Sequence, residues 1–252
     1  MEQAKTRFLE ETQKYDLTNP AIARKQSHSL RVMENAKEIA TKMQLNEEQI
    51  EIATMIGLLH DIARFEQYTK FQTYSDQDSF DHGNRGVEIL TENNKIREYV
   101  PTSQYDSLIL TAIQNHNKYR IADGLNKEEL LFAKIIRDAD KLDIFYEACE
   151  IFWKEEIEDI NASKISQEVL AQIEKEQTVL RKKGRKFNQI DSVVELMALA
   201  FDLNEKASFQ ILAEQNYIER IAQRFHLKDS AEQAKLEQIQ QKIQAYIQRK
   251  MQ

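Results

Sequence analysis

Apolar residues recur at helical spacing along most of the chain. Val32, Ala36, Ile39 and Met43 step by four, three and four, which makes one buried stripe. Asn19 followed by Pro20 marks the start of that helix, because asparagine accepts from an orphaned N–H and proline has none to orphan. A second helix is predicted from about Glu47 to Asp61. Its apolar set Ile50, Ala53, Ile56 and Leu59, joined by Ile52, Met55 and Leu58, is too wide for a surface helix and places it centrally. A polar loop from Tyr68 to Asp81 then leads to a short helix carrying Val87, Ile89 and Leu90. Ser103 is a candidate cap for a helix holding Leu108, Ile109, Ala112 and Ile113. Past a loop at Asn117 to Asn126, a long helix holds Leu130, Leu131, Ile135, Ile136, Ala139 and Leu142. The tail from Ser230 spaces Leu236, Ile239, Ile243 and Tyr246 by three, four and three, a stripe suited to packing on the body or on a second chain. No run sustains period-two alternation, and the Asp123-Gly124 pair leads into a helix, so the fold class is all-α.

Composition narrows this further. With 5 Gly and 2 Pro in 252 residues, collagen-like, linker-rich and many-turned β architectures are excluded. The net charge of −7 argues against a general nucleic-acid coat, and no double-stranded nucleic acid is expected as a partner. The single cysteine, Cys149, excludes a disulfide framework and a cysteine zinc cluster, and fits a reducing compartment. Met1 to Thr12 lacks the apolar core of a signal peptide, and the apolar stretch Ile50 to Leu59 is too short to span a bilayer. A soluble, cytoplasmic protein with no membrane partner is expected. The composition changes after Trp153, where a charged segment includes the basic run Arg181 to Lys186, read as a solvated helix end. Residues 1–153 are therefore taken as the core, and 154–252 as a helical extension packed on it in the same structural unit.

Five histidines, His28, His60, His82, His116 and His226, carry the candidate chemistry, and four of them fall in the first half. His116 follows Ile109, Ala112 and Ile113 at helical offsets, so its ring points where those side chains point, into the interior. His60 follows Ile56 and Leu59 in the same way, Asp61 extends the inward set, and Asp140 follows Ile136 and Ala139. Burying these groups without partners would cost several kcal/mol apiece. A shared divalent cation removes that cost, since it satisfies carboxylate charge and imidazole lone pairs together. Nitrogen and oxygen ligation of this kind suits Mn²⁺, Fe²⁺, Co²⁺, Ni²⁺ or Zn²⁺ better than Mg²⁺ alone, although Mg²⁺ stays open. Arg64, one helical turn after Asp61, is the first candidate for holding phosphate charge, with Lys118 and Lys141 behind it. His226 and Cys149 read as structural.

Five ordered segments give a resemblance. Ser27-His28-Ser29-Leu30-Arg31-Val32, Gly57 to Arg64 around His60-Asp61, His82-Gly83-Asn84-Arg85-Gly86, Ala112 to His116, and Arg137 to Asp143 come in one order between about Pro20 and Tyr146. The sequence is similar to the HD-domain metal-dependent phosphohydrolase superfamily. The resemblance implies an HD-type helical bundle, here with additional C-terminal helices, in which His28, His60, Asp61 and Asp140 bind one metal. Asp138 and Asp143 stay open as rivals of Asp140, which best fits the family's final Ala-Asp-Lys-Leu frame. His82 and His116 resemble the additions of members that hold a second metal, which implies one or two ions with Asp61 bridging. The pattern departs from the HD-GYP phosphodiesterases: no Gly-Tyr-Pro follows His116, and one histidine stands where that group has a pair, with Asn115 or Asn117 open as the second ligand. The implied activity is hydrolysis of a phosphomonoester, phosphoanhydride or phosphodiester in a small phosphorylated substrate, a nucleotide first, by attack of a metal-bound water, with Asp61, Arg64 and Lys141 as catalytic residues. Alternatives are a di-iron oxygenase on the same scaffold, which the resemblance also implies, and a non-catalytic metal- or nucleotide-binding regulator. A homodimer through the C-terminal helices is left open.

Overall fold

Polar caps decide where the helices begin. The Asn19 amide oxygen accepts from the Ala21 N–H at 3.0 Å, and Asn46 and Gln49 exchange reciprocal bonds as a capping box. Asp81 accepts from the Asn84 N–H at 2.9 Å, and Asn126 accepts from Glu128 and Glu129. The computed structural model describes residues 1–179 and 189–252, which form two compact units, Met1–Asp140 and Lys141–Gln252. Among the described residues there is no strand, and no helix is long and apolar enough to cross a membrane. The fold is all-α.

The first unit contains α1 (Glu2–Thr12), α2 (Pro20–Lys42), α3 (Glu47–Leu59), α4 (Arg64–Phe71), α5 (His82–Thr91) and α6 (Asp106–Asn115), and α7 (Lys127–Glu150) begins in it. Val32, Ala36 and Ile39 of α2 are fully buried, as are Ile56, Leu58 and Leu59 of α3. These two helices pack closely because α3 offers Gly57 at the crossing. A Cβ there would lie 2.8 Å from the Met33 Cα and 2.9 Å from the Val32 carbonyl oxygen, both backbone atoms of α2. Gly57→Ala must push the helices apart. The expected cost is roughly 1–3 kcal/mol, read as a lowered midpoint in thermal unfolding, and an unchanged midpoint would refute the close-approach account.

Three boundaries differ from those predicted. The central helix closes at Leu59, two residues before Asp61, because the chain turns tightly there: Ile62 N–H donates to Leu59 O and Arg64 N–H to Asp61 O. The predicted polar loop starts later, since α4 continues to Phe71 until Gln72 adopts a left-handed conformation at φ 54°. Ser103 caps no helix. Its carbonyl accepts from the Asp106 N–H at 3.2 Å, forming a turn from which α6 starts.

The second unit receives the end of α7 and adds α8 (Ile157–Asn161), α9 (Gln167–Glu174), α10 (Gln189–Met197), α11 (Lys206–Glu214), α12 (Tyr217–Ala222) and α13 (Ser230–Met251). The predicted tail stripe, Leu236, Ile239, Ile243 and Tyr246, is buried where α13 packs on α11 and α12. The basic run Arg181 to Lys186 lies outside the described residues.

Candidate metal centre

Five helices bring the chemistry together in the first unit. His28 projects from the middle of α2, His60 closes α3 with Asp61 next in the turn, His82 opens α5, His116 closes α6, and Asp140 comes from α7. The four rings are buried and stand edge to face, with centroids 5.3 Å apart for His28 and His60, 5.1 Å for His60 and His116, and 4.8 Å for His82 and His116. Ligand atoms of His28, His60 and Asp140 all lie within 4.8 Å of one another, as do those of His60, Asp61 and His116.

Proton positions follow from what the outward-facing nitrogens meet. His60 Nδ1 faces the Gly57 carbonyl at 2.8 Å and His116 Nδ1 faces the Ile113 carbonyl at 2.7 Å. A carbonyl only accepts, so both Nδ1 atoms carry the proton. His82 Nδ1 lies 2.6 Å from an Asp76 carboxylate oxygen and is protonated for the same reason. In the neutral form each of these three rings therefore turns a bare Nε2 lone pair inward. Two of these, on His82 and His116, are 2.9 Å apart, and the buried His60 Nε2 has no hydrogen-bond partner. Facing lone pairs repel unless a cation lies between them. This is the donor arrangement in which metal-binding histidines are held, with the second ring nitrogen fixed by a carbonyl or carboxylate. Burial pushes His60 down to about 3 and His82 down to about 4, the latter against the pull of Asp76, so both rings are neutral near pH 7.

The carboxylates divide the rings into two groups. Asp61 Oδ2 lies 3.4 Å from His28 Nε2 and 3.6 Å from His60 Nε2, while Asp140 Oδ1 lies 3.2 Å and 3.8 Å from the same two nitrogens. Asp61 Oδ1 instead faces His82 Nε2 at 3.5 Å and His116 Nε2 at 3.6 Å. Burial pushes the Asp61 carboxyl up, but the Lys25 ammonium 2.8 Å away opposes it, and the group is held well below the usual carboxylate range. Asp140 is also lowered, with His28 overcoming its burial. The residues thus fit divalent metal binding, in a set of four imidazoles and two acids.

A polar shell fixes this set. Asp76 binds His82 and also receives Arg64 Nη1 at 3.1 Å, Gln67 Nε2 at 3.0 Å and Asn117 Nδ2 at 3.0 Å. Burial pushes Asp76 up, yet its hydrogen bonds with His82 and Gln67 and the nearby Arg64 charge hold it far below its ordinary value. The Arg137 guanidinium donates to the carbonyls of Asn115, His116 and Lys118, which pins the chain where His116 leaves α6. Asp76→Ala frees the His82 ring to rotate. The expected result is a 10- to 100-fold weaker affinity for the second of two Mn²⁺ ions, measured by calorimetric titration, with the first little changed.

The cationic candidates part ways. Arg64 lies at the centre, its Nε 3.4 Å from Asp61 Oδ1, while its Nη1 also holds Gln67 and the Tyr74 carbonyl. Lys118 bonds to Asp81 and Asn84. Lys141, the first residue of the second unit, pairs with Asp202 there at 2.9 Å. Asn115 spends its amide on the Thr111 carbonyl and the Ala122 N–H, and Asn117 supports Asp76 and Asp81. His226 is exposed in the second unit, where its backbone N–H donates to Asn161. Sequence reasoning missed Lys25, whose Nζ lies 2.8 Å from Asp61 Oδ2, and Asp76. The signal for Lys25 was its position three residues before His28, on the same helix face.

Comparison with known families places residues 26–144 on the model described as HD domain. No curated protein and no solved structure matches the chain.

Proposed function

From the premise that this chain carries an HD domain over residues 26–144, we propose that it is a metal-dependent phosphohydrolase acting on a small phosphorylated molecule, nucleotides being the first class to test. The observation that carries this reading is the Asp61 carboxylate, whose two oxygens each face a different pair of histidine nitrogens. Divalent cations bound there would bring a water's pKa toward neutrality and polarise phosphoryl oxygens.

The chain's own residues do the rest. His28, His60 and Asp140 would hold one cation and His82 and His116 the other, with Asp61 shared between them. The carbonyls of Gly57 and Ile113 and the Asp76 carboxylate keep three of the rings in the tautomer that presents Nε2. Arg64, beside Asp61, places a fixed guanidinium where phosphoryl charge would develop, and its ties to Gln67, the Tyr74 carbonyl and Asp76 hold its direction. No side chain has to form a covalent bond to phosphorus.

The test is a Mn²⁺-supplemented screen of nucleoside mono-, di- and triphosphates and dinucleotides, run beside Asp61→Ala. Phosphate release that needs both the metal and Asp61 supports the proposal. No release from any substrate, or release that survives the substitution, removes it. Four imidazoles also suit iron, so the same preparation loaded with Fe²⁺ tests the oxygenase alternative through O₂ consumption and visible absorption.

A further inference from the structure

We propose that Lys25 is a substrate-binding residue of this centre, a mobile cation that donates to the phosphoryl oxygens of the bound substrate. The proposal rests on the phosphohydrolase reading above and adds to it a residue that neither the sequence motifs nor the family match singled out.

Lys25 and His28 lie three residues apart on one face of α2, and they converge on one atom: Asp61 Oδ2 is 2.8 Å from Lys25 Nζ and 3.4 Å from His28 Nε2. The ammonium is therefore one carboxylate oxygen away from the inward-facing ring nitrogens. Its side chain is 12% exposed where that of Asp61 is 3% exposed, so the ammonium keeps some access to solvent. The Tyr74 ring lies 5.4 Å from Nζ, with the Arg24 and Arg64 guanidinium carbons at 6.0 Å and 5.6 Å from the same ring. Tyr74 is fixed by its hydroxyl, which donates to the Ala21 carbonyl at 2.9 Å, and by the Tyr68 ring at 4.8 Å. The result is a set of three cations around one anchored aromatic ring beside Asp61.

The charges explain why this ammonium is suited to an incoming anion. In the chain alone, Lys25 is the nearest counter-ion of Asp61. Once divalent cations share that carboxylate, their charge exceeds that of the Asp61 and Asp140 carboxylates, the centre turns net positive, and Lys25 loses its reason to stay on Asp61. Its long stem and three rotatable N–H groups then suit a phosphoryl group better than the rigid fork of Arg64, which is already tied to Tyr74 and Asp76.

The experiment uses the full chain loaded with Mn²⁺ and inorganic phosphate as the probe, with Lys25→Met and Lys25→Arg compared to wild type by metal analysis, thermal melting and calorimetric titration. The expected result is unchanged metal content in both variants, at least about tenfold weaker phosphate binding in Lys25→Met, and recovery to within about threefold of wild type in Lys25→Arg. Should Lys25→Met fail to fold, Lys25→Gln takes its place in the titration. Phosphate binding by the neutral variant equal to wild type overturns the proposal. So does loss of Mn²⁺ from it, which would make Lys25 a support of Asp61 instead. A wild-type chain that holds Mn²⁺ but takes no phosphate rejects the hydrolase reading itself, an outcome separate from the other two.

Discussion

Asp61→Ala leaves the chain with less than one bound divalent cation and lowers metal-dependent phosphate release by about a thousandfold or more. The size of the effect follows from the double use of one carboxylate. Oδ2 faces His28, His60 and Lys25, and Oδ1 faces His82, His116 and Arg64. Removal of the carboxylate therefore strips charge from both groups at once. Truncating His82 or His116 removes one ligand from one group, and Asp140→Ala removes the acid of the other. The order of loss is therefore specific: both ions with Asp61→Ala, one ion with His82→Ala. Asp61→Asn separates charge from shape, because the amide keeps the volume and one acceptor oxygen but loses the anion. It should retain the fold, shown by a cooperative melt without metal at a lowered midpoint, and still fail to hold two ions. Metal content by elemental analysis together with phosphate release decides the matter. Two ions per chain in Asp61→Ala would mean that the carboxylate bridges nothing.

Local pattern carried the helices well and their ends poorly. The stripe of Val32, Ala36 and Ile39 and the wide apolar face of α3 were legible because burial imposes a 3.6-residue period on the chain. The halt at Leu59 was not, since Ile62 and Ala63 keep the segment apolar while the hydrogen bonds turn it. The inward direction of His60, Asp61, His116 and Asp140 could be read from neighbours three and four residues away. The pairing of those groups across helices came only from family resemblance, because spacing within one helix says nothing about which face of another it meets. Asp76 illustrates what a sequence hides. It sits in a polar loop with no periodic context, and its grip on His82, Arg64, Gln67 and Asn117 exists only after three segments have folded together. The close approach at Gly57 is of the same kind: the glycine was visible, but its reason, the backbone of α2 under 3 Å from a would-be Cβ, was not.

Chelation should lower the melting temperature by roughly 10 °C, and that difference should persist down to about pH 5. A ligand present at about a thousand times its dissociation constant adds about 4 kcal/mol to the folded state, and a chain of this length shifts by roughly 2–4 °C per kcal/mol. The pH dependence is the sharper half of the prediction. In the folded chain burial pushes His60 down to about 3 and His82 to about 4, whereas the unfolded rings titrate near 6.5. Between these values the unfolded state binds more protons. Stability contributed by keeping these rings neutral is therefore fully present above pH 6.5, and it is lost as the pH falls toward 4, at up to roughly 1.4 kcal/mol per pH unit for each ring. The Asp61 carboxyl, held below its ordinary value, adds a loss only at lower pH, where the unfolded carboxyl takes up a proton first. Metal-bound and metal-free chains share this proton difference, since neither protonates the rings above pH 5, so their melting temperatures should fall in parallel. An ordinary exposed histidine site behaves otherwise, because protons displace the metal below pH 6.5 and the two curves meet there. Thermal melts of Mn²⁺-loaded and chelated protein at pH 7.5, 6.5, 5.5 and 5.0 separate the two cases. Curves that converge by pH 6 would show that the imidazoles are not held neutral by burial, and that the lone pairs facing one another across the centre are not preset for a cation.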